Sequence, residues 1–215
     1  MKTRIIFFGD SITEMGVKPG GYIVKMREML SSQDLSPKYD LLGAGIGGNK
    51  VYDLYLRMDD DVLTKNPDVV VIWIGVNDVW HKVSGTGTDA DKFEKFYGAI
   101  IKKLQTKNIK VIVTTPAAIG ERTDDTNQQD GDLNLYSNII RKIAGEYKIG
   151  LVDLRKDFLE YNKKNNPENK RSGILTIDGV HLSDTGNKFV AEKMLEVLLP
   201  TVDAPSKGEG NRKEL

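Results

Sequence analysis

Six consecutive apolar residues, Val69-Val70-Val71-Ile72-Trp73-Ile74, constrain this chain more than any other stretch. A strand with one wet face alternates apolar and polar side chains. A strand that is apolar at every position has to be covered on both faces, which is the condition of a central strand in a parallel sheet. Pro67-Asp68 ahead of the run and Gly75 behind it mark its ends. Residues 5–8, 39–42, 109–115 and 149–152 have a similar strand-like character, and Pro116 closes the third of these.

Between the strands the apolar period changes from continuous to helical. Tyr22, Ile23, Met26, Met29 and Leu30 share one helix face, as do Val51, Leu54, Tyr55, Met58 and Val62. Phe93, Phe96, Tyr97, Ile100, Ile101 and Leu104 follow the same rule, and Leu133, Tyr136, Ile139, Ile140, Ile143 and Tyr147 repeat it. Residues 153–163 read as a further helix. Ser183 is placed to cap a last one, in which Val190, Met194, Val197 and Leu198 share a face. Strands alternating with helices predict an α/β fold: a single three-layer α/β/α domain on a mostly parallel five-stranded sheet, flavodoxin-like in outline. The 215 residues suit one domain, here spanning 1–200. Beyond Pro200 the chain turns polar and rich in Gly, Lys and Glu, and residues 201–215 are expected to form a disordered tail.

Charge and composition exclude several functions. Lys plus Arg and Asp plus Glu both number 31, so nothing favours a nucleic-acid or anionic membrane partner. The absence of cysteine removes disulfides, thiolate zinc sites and a cysteine nucleophile. No run approaches the roughly 18 apolar residues of a membrane span. The amino terminus enters a strand at once with no secretory signal, so a cytoplasmic location is expected, with secretion or periplasmic export the alternative for a mature form. Asp59-Asp60-Asp61 lacks the spacing of a calcium loop and reads as a solvated helix face.

In open parallel sheets, ligands bind beyond the carboxyl ends of the strands. Four segments there carry reactive side chains. Gly9-Asp10-Ser11 follows the first strand. By itself such a triplet is a turn, with Ser11 a turn or capping residue. Gly43-Ala44-Gly45-Ile46-Gly47-Gly48-Asn49 follows the second and offers unobstructed backbone amides, although a plain glycine turn reads the same way. Gly75-Val76-Asn77-Asp78 follows the third. Asp178-Gly179-Val180-His181 lies near the carboxyl end, before the last helix.

Together these segments resemble the SGNH, or GDSL, family of serine esterases and lipases, whose four blocks carry Ser, Gly, Asn and His in that order. The resemblance runs from Ile5 to about Leu199 and implies roles. Ser11 is the expected nucleophile. The base has to be a histidine, and only His81 and His181 exist. His181 has Asp178 three residues earlier to orient its ring, and His81 has no such neighbour, so Asp178 and His181 complete the expected catalytic set. The oxyanion hole would comprise the N–H of Ser11, the N–H of Gly48 and the side-chain amide of Asn77, with Gly47 the runner-up for Gly48. Asparagine, unlike aspartate, supplies a donor at neutral pH. Asp10 is expected to organise the turn around Ser11. The chain departs from the family at Gly43, where asparagine is common, which puts a supporting hydrogen bond in doubt. The lipase elbow Gly-x-Ser-x-Gly is absent.

Three long loops, 79–90, 117–132 and 165–177, are expected to frame the pocket. Trp80, His81, Glu121 and Arg122 are the candidates for substrate contact. Trp80 either stacks on a sugar or acyl group or anchors a lid on the domain. Nothing resembles a long amphipathic lid, which favours short acyl esters, including acetyl groups on carbohydrates. The expected activity is thus a serine ester hydrolase needing no metal or cofactor, with a small-molecule or carbohydrate ester as its partner. An acyltransferase on the same scaffold is the alternative. A flavodoxin-like module gripping a phosphate at residues 9–13 is a weaker one, since Asp10 would repel the phosphate.

Overall fold

The computed structural model describes residues 2–203. Its five strands are β1 (Thr3–Gly9), β2 (Tyr39–Gly45), β3 (Val69–Trp73), β4 (Lys110–Thr114) and β5 (Gly150–Val152). They form one sheet in the order β2-β1-β3-β4-β5 with every neighbouring pair parallel. All five residues of β3 are buried, as its unbroken apolar run requires in the middle of a sheet. The chain leaves β1 for β2 on one side and returns to β3 on the other. The strand order therefore reverses at the β1–β3 pair, where Gly9 and Trp73 lie in register at the carboxyl ends. A reversal of this kind opens a crevice at the rim of the sheet.

Among the described residues eight α-helices surround the sheet: α1 (Ser11–Gly16), α2 (Tyr22–Ser32), α3 (Val51–Asp61), α4 (Val76–Trp80), α5 (Ala90–Gln105), α6 (Asp130–Tyr147), α7 (Leu154–Asn165) and α8 (Asp184–Asp203). In one layer α3 packs on α5 and α5 on α6, and in the other α2 packs on α8. The predicted helix faces are the buried ones except at Tyr55 of α3, which is exposed: Phe93, Tyr97, Ile100, Ile101 and Leu104 of α5 are completely enclosed. Ser183 caps α8 as expected, its hydroxyl accepting from Gly186 N–H at 3.1 Å. The acidic triplet ends α3 rather than interrupting it, with Asp61 paired to Arg57 and Asp59 to Lys103, each at 2.7 Å.

The local structure departs from the sequence expectations in four places. Ser11 and Asn77 sit in short helices, α1 and α4, rather than turns. The segment at 79–90 is largely helical, since a 3-10 turn (His81–Ser84) follows α4 directly. Strand β2 runs on through Gly43-Ala44-Gly45, half of the expected glycine loop. The glycines are there because α1 and the residue after it lie on the strand. A Cβ at Gly45 would fall 2.1 Å from the Glu14 amide, and one at Gly43 would fall 2.4 Å from Val17 Cγ1. An asparagine at Gly43 would collide with Val17, so close packing explains the departure noted above.

Last, α8 continues through Pro200 to Asp203, past the expected start of the tail. Proline removes one N–H, but the end of the helix is held by a side chain of its own and by one from β4. Thr201 Oγ1 donates to Val197 O at 2.7 Å, and Lys110 Nζ donates to Thr201 O and Val202 O at 3.2 and 3.1 Å. The rest of the expected tail, 204–215, lies outside the described residues.

Candidate active site

The rim of the sheet brings Ser11 to the crevice. Asp10 caps α1, its carboxylate accepting from Ile12 N–H at 3.0 Å, so Ser11 is the first helical residue. An amide there has no partner inside the helix. Among the described residues Ser11 N–H donates to nothing. Ser11 Oγ lies 3.0 Å from His181 Nε2, and His181 Nδ1 lies 2.7 Å from Asp178 Oδ2. The other oxygen of Asp178 accepts from Val180 N–H at 2.9 Å and His181 N–H at 2.8 Å. Partial burial pushes this carboxyl up, but these bonds together hold it below the usual carboxylate range. An ionised Asp178 keeps the proton on Nδ1 and leaves Nε2 free to accept from Ser11.

Residues 173–183 carry Asp178 and His181 without a regular element of their own. Thr176 and Leu182 form a single antiparallel bridge, Ile177 N–H donates to His181 O at 2.8 Å, and Ser183 N–H donates to Leu175 O at 2.9 Å. What ties this turn to the domain is Glu121. Its carboxylate accepts from Leu175 N–H at 2.6 Å, Ile174 N–H at 2.9 Å and Thr176 N–H at 3.0 Å, and the residue is 1% exposed. Gly120 N–H adds a bond to Gly179 O at 2.8 Å. The expectation of substrate contact for Glu121 is therefore corrected: it points inward and holds the histidine turn. A buried carboxylate needs donors around it, and three convergent backbone amides supply them. The apolar Ala117-Ala118-Ile119 before it was a signal that this glutamate enters the protein.

The donors that could face an oxyanion differ in how free they are. Gly47 N–H is taken by Glu14 Oε2 at 2.7 Å. Gly48 adopts a φ of +76°, and its N–H donates to nothing among the described residues, which favours it over Gly47. A Cβ on Gly47 would lie 3.9 Å from Ser11 Cβ, so this turn borders the serine. Asn77 is buried, and one hydrogen of its Nδ2 goes to Asn49 O at 3.1 Å, leaving the second uncommitted. The glycine turn is itself clamped by Arg57, which sequence reasoning did not single out. Its guanidinium donates to Gly9 O at 2.7 Å, Ala44 O at 3.1 Å and Asn49 Oδ1 at 2.7 Å, tying the ends of β1 and β2 together.

Two buried carboxylates stand behind the site. Burial, helped by the charge of Asp78, pushes Asp10 up to about 7, against the opposing pull of Ile12 N–H and His181. Burial likewise pushes Asp78, whose oxygens accept from Val51 N–H at 3.2 and 3.3 Å, up to about 6. Trp80 lies edge-on to His181, with ring centroids 6.4 Å apart, and also contacts His81 at 6.0 Å. Burial and the Lys50 charge lower the His81 pKa, and no carboxylate among the described residues orients its ring. Arg122 shares a cleft of about 290 Å³ with Trp80. The geometry brings together Ser11, His181, Asp178 and the Trp80 ring, and separates Glu121 from them.

Comparison with known proteins agrees with the family resemblance. The family model described as "GDSL-like Lipase/Acylhydrolase family" matches residues 7–189. The crystal structure of an acetyl xylan esterase, AlAXEase, superposes with a TM-score of 0.89 at 68% identity, covering 90% of this chain and 98% of that one. An acetylxylan esterase of Geobacillus stearothermophilus is 29% identical over 210 residues, 89% of this chain and 92% of that protein. A variant of Axe2, an acetyl-xylooligosaccharide esterase from the same genus, superposes with a TM-score of 0.78 at 25% identity, covering 95% of this chain and 98% of that one.

Proposed function

The chain belongs to the GDSL-like lipase/acylhydrolase family and is a carboxylic ester hydrolase, and from that premise we propose that it removes acetyl groups from xylan-type carbohydrates. The reading is carried by one observation, the relay of 3.0 Å from Ser11 Oγ to His181 Nε2 and 2.7 Å from His181 Nδ1 to Asp178. Ser11 Oγ attacks the acetyl carbonyl while His181 Nε2 takes its proton. The oxygen that becomes negative is received by Ser11 N–H, Gly48 N–H and the second Nδ2 hydrogen of Asn77. The tetrahedral intermediate collapses, His181 returns the proton to the departing sugar hydroxyl, and an acetyl-serine remains. Water, activated by the same imidazole, then releases acetate and restores Ser11.

The names of the relatives support acetyl and xylan specificity. Acetate release from acetylated xylo-oligosaccharides, set beside nitrophenyl esters of increasing chain length, tests it. The expected result is rapid deacetylation of the sugar and a steep fall in rate beyond short acyl chains. Hydrolysis of nitrophenyl acetate with no action on any acetylated sugar would overturn the substrate assignment. An added alcohol in the same assay separates hydrolysis from acyl transfer, since a transferase would form the new ester in preference to acetate.

A further inference from the structure

We propose that the cleft beside Trp80 binds the carboxylate of an acidic sugar, a uronic acid neighbouring the acetylated residue, an inference that rests on the carbohydrate reading above. Trp80, Ile119, Arg122, Asn127, Gln128 and Arg171 are among the residues lining it, and no carboxylate side chain lines it among the described residues. It therefore presents two guanidinium groups and no internal counter-charge, the amides of Asn127 and Gln129 being committed to neighbouring oxygens. Neither Arg122 nor Arg171 joins an ion pair among the described residues, and the Arg122 guanidinium has only a long 3.4 Å bond to Thr126 Oγ1. The nearby acids are engaged elsewhere. Asp124 accepts from Thr126 and Asn169, Asp130 pairs with Arg155 at 2.7 Å, and the Glu121 carboxylate is enclosed by its three backbone donors.

The two arginines are brought together by backbone bonds. Glu121 N–H donates to Arg171 O at 2.9 Å, which sets Arg122 beside Arg171 although they are far apart in sequence. Asn127 holds Arg122 from both sides, accepting from its N–H at 3.3 Å and donating to its O at 2.8 Å. Gln129 Nε2 donates to Val79 O at 2.8 Å, fixing this wall to the helix that bears Trp80. The backbone of both arginines is therefore set before any ligand arrives, and only their exposed side chains have to be ordered on binding. Guanidinium forks match planar carboxylates, and an aromatic face beside them suits the apolar side of a sugar ring. Because Trp80 contacts both the cleft and His181, a sugar in the cleft sits next to the one whose ester reaches Ser11. In a carbohydrate ester the ordinary source of such an anion is a uronic acid substituent.

Two measurements test this, one of them independent of the esterase reading. The first compares kcat/KM on an acetylated neutral xylo-oligosaccharide with that on the same oligosaccharide bearing a glucuronic acid branch, for the wild type and for R122A/R171A. The wild type should prefer the acidic substrate by about tenfold, the scale of one charge-assisted hydrogen bond. The preference should shrink with added salt, vanish in the double variant, and reverse in Arg171→Glu. The second follows tryptophan fluorescence while free glucuronate, xylose or inorganic phosphate is titrated into the same proteins. Glucuronate should bind more tightly than xylose or phosphate, and the double variant should lose that binding at an unchanged thermal midpoint. If no acetylated sugar is cleaved but glucuronate binding depends on the arginines, the carbohydrate-esterase reading fails and the subsite stands. A wild-type substrate ratio near one, equal binding of glucuronate and phosphate, or glucuronate binding retained in the double variant would each overturn the proposal.

Discussion

The two halves of the proposed reactive centre are built in different ways. Ser11, Gly48 and Asn77 stand at the ends of β1, β2 and β3, where the register of a fully buried sheet sets their spacing. The half carrying Asp178 and His181 is a turn with one bridge of its own, held to the domain chiefly by the Glu121 carboxylate and a Gly120–Gly179 hydrogen bond. The first half inherits its precision from the core. The second depends on a few polar bonds, so single substitutions should separate positioning from folding there and not at the rim.

The largest expected effect lies in the second half. His181→Ala should lower kcat by about 10⁴-fold or more, the scale set by loss of a triad member. His81→Ala should mainly raise KM, since that ring contacts Trp80 and has no orienting carboxylate. Steady-state kinetics of both variants on one activated ester checks the pair. A His81 variant as damaged as the His181 variant would mean the wrong half had been identified as the base.

The comparison sharpens if an oxyanion donor is set against the loop anchor. Asn77→Ala removes one donor from the rim and should cost about 10² to 10³ in kcat with KM little changed. Glu121→Gln should cost about 10 to 100 in kcat on the same ester, because a misplacement of about 1 Å has that scale of effect. It should also lower the thermal midpoint by about 2 to 10 °C, since the amide NH₂ faces backbone donors and leaves buried groups unsatisfied at about 1–3 kcal/mol. Glu121→Asp, which keeps the charge, should recover part of both losses. A Glu121→Gln enzyme with full kcat would show that the turn holds its shape without its anchor.

The smallest effect concerns the buried carboxylate behind Ser11. Asp10 titrates near 7 when folded and 3.8 otherwise, so the unfolded chain releases this proton at lower pH than the native protein does. Its contribution to stability is fully present below pH 3.8, declines as pH rises through that interval, and is lost above about 7. Asp10→Asn keeps a good helix cap and removes the titration. Its thermal midpoint should gain on the wild type as pH rises from 5 to 8. Parallel melting curves over that range would deny burial of the charge.

The sheet and its helices were legible because their signals are repetitive: unbroken apolar runs for strands and helical spacing for the layers. The rim positions of Ser11 and Asn77 were legible because each follows a strand end closely, and the order of blocks pointed to His181, which the structure places 3.0 Å from Ser11 Oγ. The short helices α1 and α4 were not. Each has two turns or fewer, and no period can show over Ser11–Gly16 or Val76–Trp80. Glu121 was given the wrong role, and Arg57 was missed, for another reason. Their partners are backbone atoms contributed by distant segments, and a backbone amide leaves no mark on the sequence. Arg57 did carry a trace, standing three residues after the buried Leu54 and so on the inner side of α3.

Covalent labelling by a serine-directed phosphonate tests the central claim most directly, with the adduct located by peptide mass spectrometry. The account predicts a single adduct on Ser11, formed much more slowly in His181→Ala and absent in Ser11→Ala at an unchanged thermal midpoint. An adduct on another residue, or labelling of Ser11→Ala at the wild-type rate, would contradict it.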